Sequence, residues 1–335
     1  VTPVQFGVIG VGRIGRMHAQ LLAQRIVGAA VGAVYDPHEP SARDVGAELR
    51  VPVAASAEEI FASDLDAVAI CSSSDTHADL LIAAAGSGKA VFCEKPVSLD
   101  LGETNRALDA VDAAGVPFQV GFNRRFDPAH ASVREAVVAG SIGDVHVVRI
   151  TSRDPEPPPL EYVKSSGGMF LDMTIHDFDM ARFITGTEVV EVFARGAVRT
   201  DRRFEEVGDI DTAVLTLVHE DGCLTVIDNS RRAAYGYDQR VEAFGSGGMA
   251  ASENPLAYPS VVRTADGSRS PGMPYFFLER YMPSYVHEWE AFVDAVKAGR
   301  QPPVSTADVR PPLVIGLAAL RSLSEGRPVR IEEIF

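Results

Sequence analysis

Along this chain the apolar residues fall first into short solid runs and later into longer alternating ones. Runs at Val4–Ile9, Ala29–Tyr35, Ala67–Ile70 and Ala90–Cys93 are mainly apolar, as in strands covered on both faces. A further strand is expected at 117–121, and apolar positions recur at helical spacing over 13–25, 76–85 and 101–114. Strands alternating with helices imply parallel βαβ units wound into one sheet. After Gly121 the pattern changes. A helical segment at 128–139 ends at Gly140, a strand follows at 145–151, and a proline-rich loop occupies 154–159. Then come β-type runs at 189–198, 212–219, 223–229 and 239–244, with an Asp221-Gly222 hairpin step. Few helices interrupt them, so consecutive antiparallel pairing is expected. Two late helices are read at 283–298 and 306–323. The predicted class is α/β. Residues 1–123 form a doubly wound parallel sheet, and 124–335 an α+β domain with an open, mainly antiparallel sheet. The last helix is free to pack back on the first domain. An open sheet with an apolar outer face needs a cover, which a second subunit would supply.

One segment carries polar chemistry in an apolar setting. Gly167-Gly168-Met169-Phe170-Leu171-Asp172-Met173-Thr174-Ile175-His176-Asp177-Phe178-Asp179 reads as the start of a helix. At roughly 100° per residue, Asp172, His176 and Asp179 share one stripe about 60° wide. Met173, Ile175, Phe178, Met180, Phe183 and Ile184 surround them, so the stripe is expected to face a cleft rather than bulk solvent. Glu94-Lys95-Pro96 follows the run that ends at Cys93. That puts Lys95 at the carboxyl end of a strand, where ligands bind in open α/β sheets. The lysines are Lys89, Lys95, Lys164 and Lys297 alone, so one at a strand end is informative.

The opening turn supplies a second site. Gly10-Val11-Gly12-Arg13-Ile14-Gly15 fits G-x-G-x-x-G, follows an apolar strand and opens a helix. Asp36 stands 21 residues after Gly15, at the end of the next strand. These are the parts of a dinucleotide (Rossmann) fingerprint. The glycines allow a tight turn and close backbone approach, the helix N-terminus faces the pyrophosphate, and the carboxylate holds the ribose hydroxyls. Asp36 would also repel a 2′-phosphate, which makes NAD the expected cofactor. Candidate cofactor contacts are Gly10, Gly12, Arg13, Ile14, Gly15 and Asp36, with Ser72, Ser73, Glu94 and Lys95 from later strand ends. Cys71-Ser72-Ser73-Ser74 either lines the cofactor or caps the next helix. His77, in that helix's first turn, is read as a local structural residue.

Composition narrows the partners. Net charge is −15, with 46% hydrophobic and 23% charged residues. Nucleic-acid phosphates call for clustered Lys and Arg, so neither nucleic acid nor an anionic membrane is an expected partner. Cys71, Cys93 and Cys223 form no C-x-x-C pair and read as buried thiols of a reducing compartment. No basic-plus-apolar leader opens the sequence and no run of about 18 apolar residues occurs; the expectation is a cytoplasmic protein. No metal is expected. One imidazole and two carboxylates can ligate a divalent ion, but that arrangement gives Lys95 no role. Arg124-Arg125 is either an anion clamp or a solvated pair, with Arg125 unassigned. Trp289, Phe277, Tyr281, Tyr285 and Phe292 read as core or interface packing.

The fingerprint, Glu94-Lys95-Pro96, Gly121-Phe122-Asn123-Arg124-Arg125-Phe126-Asp127 and the Asp172-x-x-x-His176-x-x-Asp179 segment together resemble the glucose–fructose oxidoreductase / inositol dehydrogenase / rhizopine catabolism family. The resemblance covers essentially the whole chain. Ser152-Arg153-Asp154-Pro155, the segment from Gly167 to Asp179, and Tyr235-Gly236-Tyr237-Asp238 are similar to those of its bacterial myo-inositol 2-dehydrogenases. The resemblance implies that Lys95, Asp172 and His176 carry catalysis. It implies that Arg124, Asp154, Asp179 and Tyr237 contact a cyclic polyol alongside them, and that the protein is a homotetramer joined through its open sheets. The implied reaction is NAD-dependent oxidation of a secondary hydroxyl, myo-inositol giving 2-keto-myo-inositol. Another inositol isomer or a pyranose sugar is the alternative. The family often has Asn where this chain has Asp154, exchanging a donor-plus-acceptor for an acceptor. In that reaction a neutral His176 would take the hydroxyl proton. Lys95 would stabilise developing alkoxide charge. Asp172 would orient the imidazole, stabilise its charged form, or hold a neighbouring hydroxyl. Some members of the family bind the dinucleotide without catalysis and act as regulators; the presence of both Lys95 and His176 points to an enzyme.

Overall fold

Five apolar runs form one parallel sheet in the computed structural model, which describes residues 2–335. The strands are β1 (Val4–Ile9), β2 (Ala29–Tyr35), β3 (Ala67–Ile70), β4 (Ala90–Cys93) and β5 (Phe118–Val120), in the order β2-β1-β3-β4-β5. Their residues are almost wholly buried from β3 onward, as both-faced cover requires. The helices are α1 (Arg13–Gln24), α2 (Glu39–Leu49), α3 (Ala57–Ala62), α4 (His77–Gly86) and α5 (Leu101–Ala114). Local chemistry sets α5. The Asp100 carboxylate accepts from the Glu103 N–H at 2.8 Å, and Gly115 closes the helix with φ 66°, as an N-cap and a left-handed C-terminal residue should. Lys89 is buried and donates to the Ser63 and Leu65 carbonyls, so it satisfies the chain beyond α3.

These elements belong to the first of two compact units, which runs to Phe122 and takes in Tyr285–Pro311. The second comprises Asn123–Ser284 and Pro312–Phe335. It holds α6 (Pro128–Val138), α7 (Leu160–Ser166), α8 (Ile175–Thr185) and the single turn α9 (Arg203–Glu206). Its strands are β6 (Val145–Arg153), β7 (Val189–Ala197), β8 (Thr212–His219), β9 (Leu224–Ser230), β10 (Asp238–Gly245) and β11 (Gly248–Ser252), with a small exposed hairpin of β12 (Val262–Thr264) and β13 (Gly267–Arg269). Helices α10 (Phe277–Lys297) and α11 (Thr306–Glu325) each contribute to both units, and β14 (Val329–Arg330) ends the sheet.

The large sheet has the order β11-β10-β6-β9-β8-β7-β14. The hairpin read at Asp221-Gly222 joins β8 to β9, with Gly222 at φ 88°. Pairing is not consecutive throughout. β6 lies between β10 and β9 and runs parallel to β9, so the sheet is mixed. A strand followed by α7 and α8 is released from hairpin geometry and can take a central place. One face packs on α8 through Phe178, Ala181 and Ile184. On the other, Val218, Leu224, Val147, Phe244 and Met249 stand in register across five strands. All five are at least partly open to solvent, Phe244 at 49% and Met249 at 55%.

Helix α10 begins at Phe277 and carries Pro283 inside it, earlier than the start read at 283. Upstream of the proline, Arg280 binds Asp127 at 2.5 Å and Tyr281 meets His130 at 3.2 Å. Those bonds offset the helical hydrogen bond that Pro283 removes. Within the first unit, Trp289 stacks 4.2 Å from Phe92, centroid to centroid, and Gln119 donates to the Glu288 carbonyl at 3.1 Å. No helix among the described residues is long and apolar enough to cross a membrane.

Glu288 is fully buried, and burial, with Glu94 adding to it, pushes its carboxyl well above the usual value of 4.5. The folded state therefore holds its proton to higher pH than the unfolded chain does, and stability falls as pH rises above the unfolded value. Glu288→Gln should raise Tm by several degrees at pH 8, and the gain should vanish as pH is lowered toward 4.5. Calorimetry across that range measures it, and an equal gain at every pH would refute the linkage.

Candidate functional site

All of the first unit's candidate residues stand at the carboxyl ends of its parallel strands. The glycine turn follows β1, Asp36 follows β2, Ser72 and Ser73 follow β3, and Glu94 and Lys95 follow β4. Gly10 has φ +83°, and a Cβ there would run into the Ser72 backbone. A Cβ on Gly15 would overlap the Gly10 carbonyl. These two glycines are thus demanded by the protein's own packing. Gly12 differs, because a Cβ there meets nothing within 4 Å. It keeps open a space in front of the N-terminus of α1, the end of a helix toward which its first N–H groups point. A pyrophosphate needs that space and binds at helix N-termini, so the turn fits a dinucleotide. The Asp36 carboxylate accepts from the Val11 N–H and the His38 N–H, each at 2.8 Å. It is a fixed negative charge beside the turn, with lone pairs left for ribose hydroxyls.

Of the two readings for the serines, local use has support at Ser72. Its hydroxyl pairs with Thr76 at 2.7 Å, and Ser73 gives its carbonyl to the Thr76 hydroxyl at 2.8 Å. Ser73 itself is exposed. His77 is buried, with one ring nitrogen 2.8 Å from the Pro96 carbonyl and the other 3.0 Å from the Ser72 carbonyl. It ties the β3 loop to the β4 loop.

The second unit gathers most of the remaining candidates. Arg124 is buried and donates to Asp177 at 2.7 Å and to Ser152 at 3.0 Å. Ser152 and Asn229 also donate to Asp177, at 2.5 and 2.7 Å. Burial pushes the Asp177 carboxyl up, against the pull of Arg124 and both donors. Asp154 follows β6. Burial raises its carboxyl to about 6, with Arg231 and Arg124 opposing the rise and Asp172 and Asp177 adding to it. The buried Tyr237 faces the same charges, Arg124, Asp154 and Asp177. Asp172 accepts from the Tyr162 hydroxyl at 2.9 Å and lies 3.6 Å from the Arg231 guanidinium. Arg124, Asp154, Asp172 and Tyr237 therefore share one electrostatic neighbourhood.

The single helical stripe expected for Asp172, His176 and Asp179 does not form. Met169–Met173 makes a π turn, and α8 starts only at Ile175. The Met169 carbonyl accepts from Thr174, five residues on, through both its N–H (2.9 Å) and its hydroxyl (3.2 Å). Gly168 causes this locally. With φ +70° it lets Asp209 reach the Met169 N–H at 3.2 Å, where a Cβ would crowd the Asp209 carboxylate. The inserted residue breaks the 100° progression, a device frequent at functional sites. Asp172 stands on the π turn and His176 in the first turn of α8. Asp179 is buried and held by Arg125 through Nε (2.9 Å) and Nη2 (2.5 Å), which gives Arg125 a definite partner.

The residues missed in the sequence are Ser152, Asp177, Asn229, Arg231 and Tyr281, the last with its ring 5.7 Å from the Arg124 guanidinium. Asp177 adjoins His176, and Ser152 opens the segment that holds Asp154, so both were legible as neighbours; the others carry no signal, because they reach the cluster from β9, the turn beyond it and α10.

The model of an oxidoreductase family with an NAD-binding Rossmann fold matches residues 4–122, and a GFO/IDH/MocA C-terminal domain matches 130–251. A myo-inositol 2-dehydrogenase of Thermotoga maritima is 48% identical over 99% of both chains. An inositol 2-dehydrogenase of Rhizobium meliloti is 44% identical over 98% of this chain and 99% of its own. Among solved structures, scyllo-inositol dehydrogenase from Lactobacillus casei, with bound NAD(H) and scyllo-inositol, superposes with TM-score 0.93 at 29% identity, covering 99% of this chain and 100% of the other.

The glycine geometry makes a separable prediction. Gly12→Ala should weaken NADH binding, read by fluorescence titration, while Tm stays within a degree or two of wild type. Gly10→Ala should lower Tm by several degrees, because its cost is steric and conformational. Equal thermal loss in both variants would remove the case for a ligand-driven glycine.

Proposed function

As this chain belongs to the GFO/IDH/MocA oxidoreductases, we propose that it oxidises a secondary hydroxyl of a cyclic polyol with NAD+, myo-inositol to 2-keto-myo-inositol being the leading case. The observation that carries the reading is the second unit's cluster: Asp154 and Asp172, acceptors of several hydroxyl groups, around the buried Arg124. A substrate with a hydroxyl on every ring carbon suits a site rich in carboxylates. The inositols named for the relatives are substrates of this kind.

The Gly10–Gly15 turn and Asp36 would hold NAD+, which when bound would supply the acceptor for the hydride of the reacting carbon. His176 accepts the hydroxyl proton as the C–H bond breaks, so the alcohol becomes a ketone and a proton is left on the imidazole. Lys95 stabilises the negative charge that develops on the oxygen. Asp172, itself steadied by Tyr162 and Arg231, orients the imidazole or a neighbouring hydroxyl. Arg124, Asp154, Asp179 and Tyr237 hold the ring; for Asp179 the bidentate bond to Arg125 leaves the fewest lone pairs for that task. Asp36 selects NAD over NADP by repelling a 2′-phosphate. Scyllo-inositol is the second substrate to consider, because the Lactobacillus casei neighbour holds it.

A pH series on wild type and two variants tests these roles together. With myo-inositol, kcat should rise with pH through the His176 titration, and His176→Ala should lose that limb and far more kcat than KM. KM should respond separately. Below about 6 Asp154 is protonated, and above it the carboxylate makes stronger bonds to hydroxyls. KM should therefore fall as pH rises through that value, and Asp154→Asn should flatten the dependence. No NADH from any inositol isomer would defeat the substrate reading; unchanged profiles in the variants would defeat the roles.

We also propose a homotetramer, with the apolar row of the large sheet covered by a second copy. Leu224, Phe244 and Met249 stand exposed along that row, as apolar side chains do at subunit contacts. Sedimentation of wild type should give four chains, and Leu224→Asp should yield smaller species; a monomeric wild type would refute it.

A further inference from the structure

The first unit contains a chain of hydrogen bonds, running from buried to half-buried, in which His18 and Trp289 have no role above. Its centre is His18, on α1, which is wholly buried, as is Trp289. The Trp289 indole N–H donates to His18 Nδ1 at 2.8 Å. An indole nitrogen only donates, so Nδ1 accepts and the ring proton sits on Nε2. That Nε2–H donates to Glu94 Oε1 at 2.7 Å. The other oxygen, Oε2, accepts from the Lys95 N–H at 3.2 Å. Gly121 completes the seat, because a Cβ there would lie 2.9 Å from Oε2 and push the carboxylate away. The order is thus Trp289, His18, Glu94, and the peptide that begins Lys95.

We propose that His18 is a positioning residue: locked in one tautomer by Trp289, it grips Glu94 and so sets the backbone from which the Lys95 side chain springs. The proposal rests on the reading that Lys95 stabilises charge on the reacting oxygen. It gives α1 a second task. The helix that presents its N-terminus to the phosphates also aims the strand end that bears the lysine. A plain packing role is the competing account, since the His18 ring meets those of Phe92, Tyr285 and Trp289 edge-on at 5.3–5.6 Å. The two accounts differ in what must be kept. Packing needs an aromatic ring; positioning needs an N–H at the place of Nε2.

His18→Phe keeps the ring and discards the donor. His18→Gln discards the ring and keeps an amide N–H at similar reach. Trp289→Phe keeps the packing and frees the tautomer. Each is measured for Tm, NADH affinity and kcat at saturating NAD+ and myo-inositol. We expect His18→Gln to hold kcat within about threefold and His18→Phe to lose on the order of 100-fold, the scale of a small misplacement of a catalytic group. Trp289→Phe should fall between them, and NADH affinity should stay within about threefold in all three, since the phosphate donors lie elsewhere. A phenylalanine variant that outperforms glutamine overturns the proposal. So does a loss of kcat that merely follows Tm or NADH affinity. An active wild type with indifferent His18 variants strikes this proposal alone, whereas an inactive wild type that still binds NADH strikes the reading of Lys95 beneath it.

Discussion

One buried ion pair orders the second unit. Arg124 and Asp177 lie out of water, and such a pair is tolerable only when its remaining donors and acceptors are matched. Ser152 and Asn229 do the matching on the Asp177 carboxylate. The four residues come from the turn before α6, from β6, from α8 and from β9. The orientation of α8 on the sheet is therefore set by charge as well as by Phe178 and Ile184. Removing one partner of such a pair costs on the order of 3–5 kcal/mol. His176 inherits the consequence. It precedes Asp177 on the same helical turn, so fixing one side chain fixes the direction of the other, about 100° away.

The first unit uses neutral and charged groups together to a similar end. A tryptophan N–H, an imidazole and a carboxylate form one line beneath the strand end. Glu288 is buried nearby at a cost in stability, its carboxyl pushed up by burial and by Glu94. The second unit stores its own cost at Gly168, whose left-handed backbone and contact with Asp209 admit the π turn that carries Asp172. In both units the polar groups near the chemistry are the ones a purely stable fold would avoid.

Elements with a strong local signal were legible. The buried strands β1, β3 and β4 are solid apolar runs, and α5 carries its own N-cap and C-terminal glycine. The hairpin between β8 and β9 was legible in Asp221-Gly222. The helices α2, α3 and α7 and the strands β11 to β14 were not, since they are short and many of their residues face solvent. Such segments hold their shape through neighbours, so their own apolar period is weak. The start of α10 was hidden by Pro283, which marks a helix start locally and is here overruled by Arg280 and Tyr281 upstream.

By itself the sequence determined the period of each strong element, the glycine turn with its helix and Asp36, and the presence of Lys95, Asp172 and His176 in apolar surroundings. These follow from local rules of spacing and turn chemistry. Only the tertiary structure decided which charges meet. Arg124 and Arg125 are adjacent, and Asp177 and Asp179 are two apart, so no local rule tells which arginine takes which carboxylate. The fold gives Arg124 to Asp177 and Arg125 to Asp179. The same holds for the break between Asp172 and His176, which depends on Asp209 reaching back to the Met169 N–H. Pairing of desolvated charges and completion of backbone hydrogen bonds act across space, between groups that the chain keeps far apart, and that is why they were settled only when it folded.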